Sequence, residues 1–184
     1  KYIAAADCAD EGGEGVNSLV IVDSQLGTPV AEINADIPAD KFAELCFKLL
    51  GKYYNPLFAP ERNGVGNIVV QKLKDMGYEN LYKDDKDKAG WFTSTRAFPP
   101  KVSREQMLRE FEEAVRLRQW VEKSTDAIGE MSTFVRNEKG SFVHRQGCRD
   151  DRLMARAICW QMKKHIAEGT ASFQVFKRNS TSYN

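Results

Sequence analysis

The stretch "YIAAADCAD", residues 2–10, is the segment on which the predicted fold depends. Small apolar residues precede Asp7, so the segment reads as a buried strand that ends in acids. Strand-like segments follow at 17–24, "NSLVIVDS", and at 28–36, "TPVAEINAD", with only short connections between them. Three strands joined in this way predict an antiparallel meander that begins with the Asp7 strand.

The rest of the chain alternates between helical and strand-like patterns. Pro38 marks the start of a helix that ends at Gly51. Further segments are predicted as a strand at 55–61, a helix at 64–78, a strand at 79–83, and helices near 103–120, 125–136 and 150–168. This order predicts an α/β domain at 1–168, with a mixed five-stranded sheet whose first three strands are antiparallel and with helices flanking the sheet. The polar residues 169–184 lack periodicity and are predicted to form a C-terminal tail.

Composition narrows the classes of function. Apolar residues make up 42% of the 184-residue chain and charged residues 29%, which is typical of a soluble globular protein. No apolar run approaches the length of about 18 residues that a membrane helix needs, so no membrane partner is expected. Cys8, Cys46, Cys148 and Cys159 form no C-x-x-C pair and there are only two histidines, so a zinc site is not expected.

The net charge of +1 conceals an asymmetry along the chain. Residues 1–61 hold ten acids and four bases, whereas the remainder holds 16 acids and 23 bases. Such a chain can place carboxylates at a site and bases around it, which suits a polyanionic substrate gathered around a metal. The alternative is that the charges are scattered over a solvated surface.

Four acids occupy positions from which they could converge. Asp7 lies on the first strand, Glu61 ends the fourth, and Asp150 and Asp151 begin the last helix. In this strand order the first and fourth strands are neighbours, so a helix packed across them can bring all the carboxylates to one point. Mg²⁺ and Mn²⁺ are hard cations that prefer carboxylate oxygen. The four acids therefore form a candidate site for two such ions.

Each acid also has a structural explanation. Asp150 and Asp151 could simply cap the helix N-terminus. Asp7 could be an acid whose hydrogen bonds are satisfied at a strand end. Glu61 could form a salt bridge with its neighbour Arg62 or serve as an acid at the start of the following helix. Three further acids, Asp10, Glu11 and Glu14, are expected in a loop.

Four motifs, in this order, resemble the nuclease domain of the large terminase subunit of tailed bacteriophages. They are Asp7 on the first strand, "ERNGVG" from Glu61, "GWFT" at 90–93, and "GEMSTFVRNEKGSFVHRQGCRDD" at 129–151 with the following "RLMARAI". The resemblance covers roughly residues 2–168, and the last motif is its most specific part. Glu130 matches a recurrent acid of the family, for which we expect a structural role at a helix start.

The resemblance implies a ribonuclease H-like fold and a metal-dependent endonuclease that cuts concatemeric double-stranded DNA by two-metal hydrolysis. Asp7, Glu61, Asp150 and Asp151 would be the catalytic metal ligands, with Mg²⁺ or Mn²⁺ as cofactor. The implied partners are DNA, an ATPase motor domain ahead of residue 1, the portal protein and the small terminase subunit, in the host cytoplasm. The chain has no G-x-x-x-x-G-K-[ST] phosphate-binding loop, so it is not expected to be an ATPase by itself. Because it begins with Lys, we expect an excised domain.

Two features depart from the family pattern. Pro60 precedes Glu61 where relatives have an ordinary strand residue, so we expect the fourth strand to end early or to bulge. Arg149 stands before the aspartate pair where relatives often have histidine, which argues against a histidine ligand.

Basic residues near the aspartate pair are predicted to contact DNA phosphates. Arg152 is the first choice because it adjoins a proposed ligand, and Arg156, Arg96 and Lys101 follow, with a wider basic set of Arg104, Arg109, Lys163 and Lys164.

Two other functions fit the same sequence. A resolvase or transposase-type nuclease would use the same carboxylates on the same fold, and a stable dimer in solution would favour the resolvase. A catalytically inactive module that docks DNA or a capsid protein is the third reading, and the intact acids argue against it.

Overall fold

The computed structural model describes residues 1–9, 12–13, 15–94, 103–138 and 140–166. The predicted tail, the loop acids Asp10, Glu11 and Glu14, and the predicted DNA contacts Arg96 and Lys101 lie outside the described residues.

Four strands form the main sheet, in the order β3-β2-β1-β4. Their bounds are β1 Tyr2–Asp7, β2 Asn17–Asp23, β3 Thr28–Ala35 and β4 Leu57–Pro60. Strands β1, β2 and β3 pair antiparallel, which confirms the predicted meander, and β4 pairs parallel with β1. Because β1 and β4 run in the same direction, their C-terminal ends lie at the same edge of the sheet.

The predicted fifth strand is present only as isolated bridges, so the predicted strand count is wrong by one within the described residues. Leu81 bridges Phe58 and Trp91 bridges Glu61, both in parallel orientation. Pro60 explains part of this irregularity. Backbone amides alternate along β4, and those of Phe58 and Glu61 donate to Asn80 and Ala6 respectively. The ring nitrogen of Pro60 therefore faces the 80–91 side, where it removes a ladder donor, and β4 ends early as expected.

Five helices cover the two faces of the sheet. They are α1 Ala39–Lys52, α2 Gly66–Asp75, α3 Arg104–Arg116, α4 Thr125–Thr133 and α5 Asp151–Met162, and a 3₁₀ turn, Lys163–His165, follows α5. Helices α1 and α2 bury their apolar residues on one face, and α3 and α5 bury theirs on the other. No helix among the described residues is long and apolar enough to cross a membrane.

A β-hairpin replaces the end of the helix predicted at 125–136. Strands β5, Phe134–Arg136, and β6, Phe142–His144, pair antiparallel, and the rings of Phe134 and Phe142 stack at 5.9 Å. Gly140 has a φ of 75° in the turn, a conformation that glycine adopts without strain. The alternation in "FVR" and "FVH" around this turn was the available signal for a hairpin.

Candidate functional site

Strand alternation places Asp7 and Glu61 on the same face of the sheet. On β1, Ile3 and Ala5 belong to the core under α5, whereas Ala4 and Ala6 belong to the opposite core. Asp7 continues the α5 face, since side chains alternate along a strand. On β4, Ala59 also faces the α5 core, so Glu61, two residues further on, points to the same side. The two acids therefore stand side by side at one edge of the sheet, beneath α5.

Backbone contacts fix the position of Glu61. The amide of Glu61 donates to the Ala6 carbonyl at 2.8 Å, next to Asp7. A Cβ added to Gly66 would lie 1.6 Å from the Glu61 carbonyl oxygen, so only glycine allows the start of α2 to approach this residue. The motif "ERNGVG" thus contains both a candidate metal ligand, Glu61, and the glycine, Gly66, that lets α2 begin against the Glu61 carbonyl.

The "ERNG" and "GWFT" motifs form one structural unit. Arg62 donates to the Gly90 carbonyl at 2.8 Å, and Asn63 donates to the Thr93 carbonyl at 2.8 Å. The Arg62 guanidinium pairs with Asp84 at 2.6 Å. The alternative explanation of Glu61 as the salt-bridge partner of Arg62 is therefore wrong, and the carboxylate of Glu61 is left to the site.

Neither aspartate of the pair caps α5. Asp150 is at the N-cap position and Asp151 is the first helical residue, and the Asp150 side chain makes no capping hydrogen bond. Glu130 of α4 performs this function instead, because its carboxylate accepts hydrogen bonds from the amides of Arg152 at 2.8 Å and Leu153 at 3.2 Å. The capping explanation of the aspartate pair is therefore wrong, although Asp151 remains an acid in the first turn of α5. The structural role at a helix start that was expected of Glu130 is confirmed.

Asp151 is a buried carboxylate in which one oxygen has a hydrogen-bond partner and the other has none among the described residues. Its Oδ1 accepts a hydrogen bond from the Val16 amide at 3.1 Å, whereas its buried Oδ2 has no partner among the described residues. Burial raises the pKa of Asp151, and the charges of Glu130 and Asp150 act in the same direction, against the Val16 hydrogen bond and the charge of Arg149. A bare, buried carboxylate oxygen is costly unless a cation or a donor binds it.

Asp7 lies in a strongly anionic environment. Burial raises its pKa well above 3.8, and the charge of Glu61, a hydrogen bond to Glu61, and the charges of Asp151 and Asp150 raise it further. Each of these side chains is a carboxylate, and within the part of the chain that the structure describes no N–H or hydroxyl donor is hydrogen-bonded to the Asp7 side chain, which argues against an acid satisfied by donors at a strand end. A divalent cation at this position would relieve both burial and repulsion.

The donor set fits a hard divalent cation, although the carboxylates are not assembled around one position. Within the described ranges, no group of three or more His, Cys, Asp or Glu side chains could hold a metal ion as it stands. Asp150 is turned to Arg104, at 2.7 Å, and one oxygen of Asp151 is bound to the Val16 amide. The bare oxygen of Asp151 and the mutual repulsion around Asp7 are the two observations that favour a cation here.

Two predicted DNA contacts form ion pairs with acids of the protein. Arg156 is completely buried and pairs with Glu122 at 2.6 Å and with Glu32 at 2.7 Å. A phosphate cannot reach this guanidinium, so the prediction that Arg156 contacts DNA is wrong. Arg152 pairs with Glu130 at 2.8 Å and with Asp126 at 3.1 Å, and it serves the N-terminus of α5.

Solved structures with the same fold are available for comparison, whereas no protein-family model and no curated protein matches the sequence. The nuclease domain of the large terminase of thermophilic phage G20c, with bound magnesium, superimposes with a TM-score of 0.65 at 17% identity, over 87% of this chain and 80% of that one. The chain has the fold of a phage large terminase nuclease. The terminase nuclease of P22 gives a TM-score of 0.58 at 14% identity, over 89% and 81% of the two chains. The large terminase nuclease domain of bacteriophage SPP1, with bound manganese, gives a TM-score of 0.54 at 11% identity, over 88% of this chain and 85% of that one.

This comparison confirms, at the level of fold, the resemblance expected from the four sequence motifs. The mixed sheet with helices on its faces is thus the architecture that this chain shares with those nuclease domains. The site residues themselves rest on the geometry of this chain.

Proposed function

We propose that the chain is the nuclease domain of a tailed-phage large terminase and that it cleaves concatemeric double-stranded DNA with two divalent metal ions, Mg²⁺ or Mn²⁺. The observation that carries the proposal is the position of three acids in this fold. Asp7 and Glu61 lie next to each other at the ends of the paired strands β1 and β4, and Asp151 is bound to the Val16 amide just before β2. Two structural neighbours, from G20c and SPP1, contain magnesium and manganese respectively. By the same analogy, the domain would act in the host cytoplasm with an ATPase motor domain, and with the portal protein and the small terminase subunit.

Asp7, Glu61 and Asp151 would hold the ions, with Asp150 beside them. When bound, such ions activate a water molecule and stabilise the leaving oxygen of a phosphodiester. The chain supplies the alignment of the ligands. The hydrogen bond from Glu61 to Ala6 keeps the backbones of the two strand acids together, and Glu130 fixes the start of α5 and with it Asp151.

Cleavage of double-stranded plasmid is expected to require Mg²⁺ or Mn²⁺, because the site offers carboxylate oxygens without histidine or cysteine ligands. EDTA should stop cutting, and an excess of Mn²⁺ added afterwards should restore it. Agarose-gel assays of supercoiled plasmid measure this directly. Cutting that persists after complete chelation would rule out the metal-dependent mechanism.

Arg149 takes the place of Arg152 and Arg156 as the proposed phosphate contact beside the site. Its side chain is exposed, its charge acts on Asp151, and no ion pair engages it among the described residues. Arg145 is exposed on the same loop. Because these arginines follow the hairpin and lead into α5, DNA bound there would lie beside the carboxylates.

Arg149→Gln is expected to weaken DNA binding equally for unrelated sequences and to lower the slope of log K against log salt by about one. The control is Lys48→Gln, which removes an equal charge from an exposed position on α1, beyond the opposite core. Both variants are compared by fluorescence anisotropy on two unrelated duplexes, in an Asp7→Asn background with Ca²⁺ to prevent cleavage. An equal loss in both variants would argue against a contact at Arg149.

A further inference from the structure

Arg104 connects three elements at the edge of the candidate site. It is the first residue of α3, and its Nη2 donates to Asp150 Oδ2 at 2.7 Å. Its Nη1 donates to the Phe142 carbonyl of β6 at 3.4 Å, and its guanidinium lies 5.7 Å from the centre of the Phe134 ring on β5. The backbone amide of Arg104 is itself held by the Ser94 carbonyl at 2.9 Å. The guanidinium is thus held by the hairpin on one side and by Asp150 on the other.

An arginine fixed in this way can orient a carboxylate. The planar guanidinium presents donors in a rigid fork, which determines the rotation of the carboxylate that it binds. Arg104 engages only Oδ2 of Asp150, and no described residue is hydrogen-bonded to the other oxygen, which could therefore bind a cation. Asp150 lies close enough to the other acids for its charge to affect both Asp7 and Asp151. Carboxylates that bind metals usually have such a hydrogen-bonding partner behind them.

We infer that Arg104 is a positioning residue, which holds Asp150 by one oxygen so that the other would face a bound cation, while Asp151 would bind the cation directly through its unpartnered Oδ2. This inference rests on the proposed metal-dependent function and assigns different roles to the two adjacent aspartates. Arg104 also brings a positive charge to a cation site, and charge alone would weaken metal binding. Positioning and charge therefore predict opposite effects when Arg104 is removed.

The affinity for Mn²⁺ alone, measured by isothermal titration calorimetry without DNA, separates these effects. Arg104→Met is expected to bind Mn²⁺ at least about tenfold more weakly than the wild type, the usual effect of losing such a partner. Arg104→Lys keeps the charge but lacks the fork and should have an intermediate affinity. Arg109→Met on the same helix is the control, because Arg109 pairs with Glu105 and not with the candidate ligands. Melting curves in EDTA establish that each variant is folded.

A double-mutant cycle tests whether Arg104 acts through Asp150. In an Asp150→Asn background, Arg104→Met should cause no further loss of Mn²⁺ affinity, because the group that it positions is already changed. Unchanged or tighter Mn²⁺ binding by Arg104→Met, wild-type affinity in Arg104→Lys, or additive losses in the cycle would each overturn the inference. A wild-type protein that binds no Mn²⁺ would instead contradict the proposed metal site itself.

Discussion

Asp7→Asn is expected to abolish DNA cleavage and, at the same time, to raise the melting temperature of the metal-free protein. Asparagine has nearly the shape of aspartate but brings no charge into the cluster with Glu61, Asp150 and Asp151. The variant loses a ligand, and a loss of about 4 kcal/mol in transition-state stabilisation lowers the rate about a thousandfold. It also removes the charge whose burial and repulsion by neighbouring carboxylates raise the pKa of Asp7 in the native fold.

The pH dependence of stability gives this prediction a definite sign. A folded-state pKa above the unfolded value means that the native protein binds the proton more tightly. Asp7 therefore lowers the stability of the metal-free protein as pH rises from about 4, near its ordinary value of 3.8, through its raised pKa. Asp7→Asn should show less of this decline, and Mn²⁺ should stabilise the wild type but not the variant.

Asp75→Asn is the matched control for Asp7→Asn, because Asp75 is an exposed acid at the end of α2. It should keep wild-type cleavage and a wild-type melting temperature. Calorimetric melting in EDTA between pH 4 and pH 8, together with plasmid cleavage, measures both properties. If Asp7→Asn melted below the wild type in EDTA, Asp7 would be a structural acid, and the candidate site would lose its central ligand.

The sheet and the acidic edge could be predicted because they depend on local patterns and on strand order. Alternation in "YIAAAD" determines the face of Asp7, and the same alternation determines that of Glu61 on the neighbouring strand. The two acids then meet because β1 and β4 are parallel and adjacent. The early end of β4 at Pro60 could also be predicted, because proline lacks the backbone N–H that a strand needs to continue its ladder.

The predictions for the basic residues were less successful, because their partners are distant in the sequence. Arg156 pairs with Glu32, 124 positions away, and Glu122, 34 positions away. Arg104 pairs with Asp150 across 46 positions. Proximity to Asp150 and Asp151 in the sequence suggested that Arg156 is near the phosphates. The helical period of α5, however, directs the Arg156 side chain towards the core, and nearly every residue of this helix is buried.

Arg156→Leu is expected to lower the free energy of unfolding by about 3–5 kcal/mol, the usual cost of removing one partner from a buried ion pair. Arg156 is completely buried, and Glu122 is almost as buried, with 6% of its side chain exposed. Leucine would leave the buried Glu122 with neutral hydrogen-bond donors only and without its cationic partner, and it would release Glu32 on β3. Urea denaturation at pH 7 measures the loss, and the Asp7→Asn background with EDTA excludes any contribution from metal binding.

A second substitution distinguishes the ion pair from simple packing. In Arg156→Leu with Glu122→Gln, the charge left behind is gone, so part of the lost stability should return.

Burial raises the pKa of Glu122, but its hydrogen bond to Arg156 and the charge of Arg156 outweigh burial and leave the pKa lowered. The ion pair therefore stabilises the wild type above pH 4.5, the ordinary pKa of this group, and its contribution declines as pH falls towards the lowered pKa. The stability gap between wild type and Arg156→Leu should narrow over that range. A surface arginine that binds DNA would behave differently, since its loss would weaken DNA binding while the urea midpoint stayed unchanged.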